Sequence, residues 1–93
     1  MEIEAPYFDG KGREIKEYDL LQIYHFKGVN EQGRGRKHYY MYKWIRLREF
    51  QGKMWWIGLH MHNEDSHVLL KACASPKDRI IQDSRIIQTK YES

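Results

Sequence analysis

KHYYMYKWIRLREF (residues 37–50), QGK (51–53) and MWWIGLHM (54–61) read as two strands joined by a tight turn. Tyr, Trp and Ile dominate both runs, and such side chains favour the pleated, half-buried surface of a sheet. Side chains alternate along a strand. In the first run the odd positions Tyr39, Met41, Lys43, Ile45 and Leu47 form a core face interrupted by one lysine. The even positions Tyr40, Tyr42, Trp44, Arg46 and Arg48 form the other face. In the returning run Trp55, Ile57, Leu59 and Met61 make a core set, and Trp56, Gly58, His60 and His62 a polar one.

Turn length decides which sets meet. A three-residue turn over Gln51-Gly52-Lys53 sets Phe50 opposite Met54, so that Arg48 faces Trp56, Trp44 faces His60 and Leu47 faces Ile57. A two-residue Gln51-Gly52 turn, which a glycine in second place suits, sets Arg48 opposite Trp55 and mixes the sets. A one-residue slip turns a strand's side chains over, so matching faces favour the longer turn. On that register the candidate binding face is Tyr40, Tyr42, Trp44, Arg46, Arg48, Trp56 and His60, with His62 at its end. A soluble monomer rarely exposes so large an apolar patch without a use. The alternative is that a curled sheet closes some of these rings into a second minor core.

Working outward, Gly28 to Arg36 (GVNEQGRGR) holds three glycines and reads as a mobile loop carrying Arg34 and Arg36, with Lys37 at its exit. Leu20–Lys27 reads as a strand, and Asp9-Gly10-Lys11-Gly12 as a turn. Beyond the hairpin, Asn63–Ser66 reads as a turn, His67–Ala74 as a strand and Arg85–Lys90 as the last strand. Ser75-Pro76-Lys77-Asp78 has the residues of a helix start, for a short helix to about Gln82. The expected fold is mainly β, with about five strands, at most one short helix near the C-terminus, and a small, partly open barrel that manages its edges.

The chain has 93 residues, which gives room for one core and one domain over 1–93. Its net charge of +3 is unevenly spread. Residues 1–19 carry six acids and three bases, whereas residues 34–48 carry six bases and no acid. Nine of the thirteen aromatic residues lie between Tyr24 and Trp56, so the basic block is also the aromatic one. Bases stack on rings while Arg meets phosphate. Tyr, Trp and Arg also dominate protein hot spots. Two partners therefore suit the face: a protein, or single-stranded nucleic acid or RNA. The remainder of the chain is slightly acidic, and a dedicated nucleic-acid binder is usually more basic, which favours the protein. A free β edge would also admit a partner strand or a second copy.

One cysteine, Cys73, excludes a disulfide framework and a cysteine-only zinc site, and it lies in an apolar run as a small hydrophobe would. His60, His62 and His67 with Glu64 or Asp65 are the candidate metal ligands, at a spacing that fits no established motif, and no cofactor is expected. No phosphate loop, dinucleotide fingerprint or nucleophile elbow is present. A small RNase would need His25 or His38 as base and Arg46 as phosphate clamp; no catalytic residue is otherwise indicated. No apolar run approaches the ~20 residues of a membrane span, and Met1-Glu2-Ile3-Glu4 is unlike a signal peptide, so a cytoplasmic protein is expected.

The stretch Asp9-Gly10-Lys11-Gly12-Arg13-Glu14-Ile15-Lys16-Glu17-Tyr18-Asp19-Leu20-Leu21 resembles the opening of YopX-like phage and prophage proteins, with Tyr18 where their pattern has glycine. Tyr24-His25-Phe26 and Lys37–Trp44 are similar to a group of small bacterial proteins. The resemblance covers about half the chain. It implies an SH3-like barrel and a mobile-element accessory role, such as modulation of a host enzyme or defence complex, and supplies no catalytic residues.

Overall fold

The computed structural model describes the backbone of residues 1–29 and 36–89, and their side chains apart from 25–29, 36–39 and 64. It is mainly β: β1 Glu2–Ile3, β2 Leu20–Val29, β3 Arg36–Phe50, β4 Lys53–His60, β5 Asn63–Leu69 and β6 Ser84–Gln88. They form one curled sheet in the order β1-β4-β3-β2-β6, with β5 also on β4. All pairings are antiparallel except β1 with β4. The expected strand count gains one short member, β1, whose two residues are too few to show a period.

The β3–β4 turn has two residues, not three. Phe50 pairs with Lys53, Arg48 with Trp55, Leu47 with Trp56 and Ile45 with Gly58. Gln51 and Gly52 both take positive φ, 52° and 79°, the backbone of a type I′ turn, whose twist matches that of the flanking strands. Turn chemistry thus outweighs facial matching. Matched faces would require one wholly apolar face per strand, whereas the curled sheet buries parts of both: Ile57, on the face of Arg46, is 2% exposed. Gln51 is exposed and holds a conformation that suits Asn or Gly. Gln51→Asn is expected to raise stability by about 0.5–1 kcal/mol, read as a higher urea midpoint.

Other boundaries move as well. β5 starts at Asn63 opposite His60, so the turn is Met61-His62 and not Asn63–Ser66. β5 ends at Leu69, and Leu70–Ala72 form a single 3₁₀ turn in place of further strand. Ser75 opens one turn, closed by the Arg79 amide on the Ser75 carbonyl at 2.9 Å, and no helix follows. Lys37 lies in β3 as its strand reading expects, but Gly28, Val29 and Arg36, expected in the loop, are paired strand residues as well, Gly28 with Lys37 and Val29 with Arg36. Arg34 lies outside the described residues.

One face of the sheet is covered. The segment before β2, Leu70 and the chain from Cys73 to Ile81 lie on it, and Tyr7, Ile15, Leu21, Ile23, Ile45, Leu70 and Ile81 form the core. Lys43 is 6% exposed on this same face. A Cβ at Gly58 would stand 2.9 Å from the Lys43 Cβ, so the missing side chain of Gly58 is what makes room for the lysine stem.

The acids of the N-terminal segment complete the sheet. The Glu4 carboxylate accepts from the Trp56 amide at 3.0 Å, on the edge of β4 between β1 and β5. Glu17 accepts from the Leu47 amide at 3.1 Å, past the point where β2 begins. Asp9 accepts from the Ile86 amide at 3.2 Å, Arg13 donates to the Ile86 carbonyl at 2.8 Å, and the Gly10 amide donates to the Ser84 carbonyl at 2.9 Å. These contacts close the outer edge of β6 from Ser84 to Ile86, where a free row of amides and carbonyls would invite another strand.

Candidate aromatic and cationic face

The other face of the sheet carries the even residues of β3. Tyr40 is 43% exposed and meets Tyr24 edge-on, with ring centroids 5.9 Å apart. The Tyr42 hydroxyl accepts from the Gln22 amide group at 3.0 Å. Trp44 is half-buried, flanked in register by Leu20 and Leu59. The Arg46 guanidinium lies 4.5 Å from the centroid of the Tyr18 ring and donates to the Ile45 carbonyl at 2.8 Å. Tyr18 holds φ 76°, a conformation that favours glycine. Arg48 is exposed.

Register corrects two members of the expected face. Trp56 lies on the covered face, against the core, where its indole N–H donates to the Glu4 carbonyl at 3.0 Å. His60 stands opposite Lys43, also on that side, and its Nδ1 accepts from the His62 amide at 3.1 Å. In their place the outer face has Trp55 and Lys53. The Trp55 indole N–H donates to the Phe50 carbonyl at 3.1 Å, and the ammonium groups of Lys53 and Lys71 lie 4.5 and 5.4 Å from the centroid of its ring. Weighing the turn residues over the matching of apolar sets would have found Trp55.

The candidate metal ligands divide. His67 pairs with Leu59 and His60 with Asn63, and the His60 and His62 rings are 6.0 Å apart. Among the described residues no three His, Cys, Asp or Glu side chains gather as a ligand set. The suggested RNase residues also separate: Arg46 stands eight positions along β3 from His38, roughly 27 Å in an extended strand. Cys73 is half-buried against the core, and burial raises its thiol pKa against the opposing charge of Lys43.

Charge on the outer face is stronger than the net value suggests. Glu4, Asp9 and Asp19 are buried, and Glu17 is tied to the Leu47 amide, so much of the acidity of residues 1–19 is used inside the fold. Arg46, Arg48, Lys53 and Lys71 are left toward one side of the sheet. Beyond Tyr24, β2 has only β3 beside it among the described strands, and the pair runs on to Val29 and Arg36, a ribbon of about 17 Å. Among the described residues, no helix is long and apolar enough to cross a membrane. Comparison with protein-family models, curated proteins and solved structures finds no match to this chain.

Proposed function

We propose that the chain is a non-enzymatic binding module that engages a protein partner through the outer face, with Tyr40, Tyr42, Trp44, Arg46, Arg48 and Trp55 as its contact residues. The carrying observation is the division of labour between faces: the N-terminal segment, Leu70 and Cys73–Ile81 pack on one side, while Tyr40, Tyr42, Trp44, Arg46, Arg48 and Trp55 line the other. Buried aromatic and Arg anchors dominate protein interfaces, and this face presents both types on a rigid sheet. In this reading the curled sheet is an SH3-like barrel, and the YopX-like resemblance gives a phage accessory protein acting on a host enzyme or defence complex in the cytoplasm.

A second reading, single-stranded nucleic acid or RNA on the same face, is favoured by the projecting ribbon, along which the sequence places Lys27, Arg36 and Lys37. One experiment separates the two. Peptides selected on the wild-type chain from a displayed random library are expected to lose at least about tenfold in affinity for a Tyr40→Ser/Arg46→Glu/Arg48→Glu variant. Peptides that bind both proteins alike remove the face assignment. Failure to select any peptide, together with oligonucleotide binding that weakens steeply with salt, establishes the second reading.

A further inference from the structure

At the hairpin end of the outer face the sheet forms a groove of about 260 Å³. Ile57 forms its floor, Trp55, Phe50 and Leu69 its apolar walls, and Arg48 and Lys71 its rim. Phe50 is 63% exposed and Leu69 41%, a large apolar surface for a sheet whose other face holds the core. Pockets that hold drug-sized ligands begin at about 300 Å³, so this space suits one or two side chains.

Charge names the occupant. Arg48 and Lys71 line the groove against one acid, Glu49, and the Lys53 ammonium reaches the Trp55 ring that forms one wall. The Lys53 ammonium also meets Glu2 at 3.8 Å, whereas among the described residues Arg48 and Lys71 form no ion pair. An apolar slot with cations at its mouth complements an apolar side chain flanked by carboxylates. A nucleobase fits less well: it needs an open ring to stack on, and the Trp55 ring already has two ammonium groups close to it.

We propose that this groove docks a short acidic peptide segment of the partner through one bulky apolar side chain, with carboxylates on either side meeting Arg48 and Lys71. The proposal rests on the protein-binding reading above and assigns that partner a chemistry. Seating the side chain against Phe50, Ile57 and Leu69 removes apolar surface from water on both sides. The exposed positions of Phe50 and Lys71 mean that either can change while the fold is kept.

The test is fluorescence polarisation of the full chain with a fluorescein-labelled peptide Asp-Glu-Leu-Phe-Glu-Asp. Binding is expected, with affinity about tenfold weaker for Phe50→Ser and for Lys71→Glu. It should be lost when Leu-Phe in the peptide becomes Ser-Ser and unchanged in Gln82→Ser, an exposed position just before β6 at the other edge of the sheet. An independent NMR titration of the wild type should move the Trp55 indole resonance more than that of Trp56. Equal binding by Phe50→Ser and Lys71→Glu, with shifts elsewhere on the outer face, overturns the groove and leaves the wider protein-binding reading standing. No peptide binding at millimolar concentration overturns the groove, and salt-sensitive binding of an oligonucleotide in the same assay overturns both.

Discussion

Asp9→Ala is expected to lower stability by about 3–5 kcal/mol, the largest single effect in the chain. The Asp9 side chain is fully buried, and its two oxygens accept from the Lys11 and Arg13 amides at 2.9 Å each, the Arg13 guanidinium at 3.1 Å and the Ile86 amide at 3.2 Å. Alanine leaves those donors without their acceptor and frees the edge of β6. The ionisation of Asp9 gives a second signature. Burial alone would raise its carboxyl, but the amides of Arg13, Ile86 and Lys11 and the Arg13 guanidinium outweigh it, and the group lies below its ordinary value. A carboxyl depressed in the folded state contributes stability that is present above the unfolded value, about 3.9, and lost as pH falls through the folded one. Urea unfolding should therefore show a large gap between wild type and Asp9→Ala at neutral pH and one that shrinks steadily as the medium is made acid. A gap independent of pH would show that the charge of Asp9 plays no part.

Glu4→Ala is expected to cost about 3 kcal/mol, from two hydrogen bonds and a partly exposed ion pair. The Glu4 carboxylate accepts from the Tyr7 hydroxyl at 2.6 Å and the Trp56 amide at 3.0 Å, and lies 3.6 Å from the Arg79 guanidinium. Arg79 in turn donates to the Pro6 and Ala5 carbonyls and lies over the Tyr7 ring at 4.0 Å. One buried acid thus joins the N-terminal segment, the edge of β4 and the chain before β6. Glu4→Gln keeps an acceptor and should recover about half the loss. Burial and then the Glu4 hydrogen bond push the Tyr7 phenol from 10.0 up to about 12. A raised phenol contributes stability that is present below its unfolded value and lost as pH rises through the folded one, so the wild type should weaken between about pH 10 and 12. That alkaline loss should shrink in Glu4→Ala; an equal loss would mean that the carboxylate does not act on the phenol.

The central ladder was legible because it is local. Leu20 onward and Lys37–Phe50 carry the β-forming residues of two long strands, and the odd residues of β3 from Met41 to Leu47 do lie on the core face, Lys43 included. The partition of the tryptophans was open to the sequence too: Gln51-Gly52 pointed to a two-residue turn, and the turn prevailed over the apolar pattern. A period of two cannot reveal that a curled sheet buries Ile57 on one face and Ile45 on the other. The carboxylate caps were not legible. Glu4, Asp9 and Glu17 sit in a segment whose acidity reads as surface, and their partners Trp56, Ile86 and Leu47 lie far along the chain. The boundaries near Leu69 also depend on long-range packing, since Leu70 turns inward to the core where the sequence continues a strand-like run.

Closing β6 has a consequence for self-assembly. Growth of a sheet into a fibre needs two complementary open edges on each copy, one to give and one to receive. With the Asp9–Arg13 turn set against Ser84–Ile86, the longer edges left open among the described strands are those of β5 and of the β2–β3 ribbon beyond Tyr24. A copy therefore cannot grow through β6, and a second copy can add its strand only at β5 or along the ribbon.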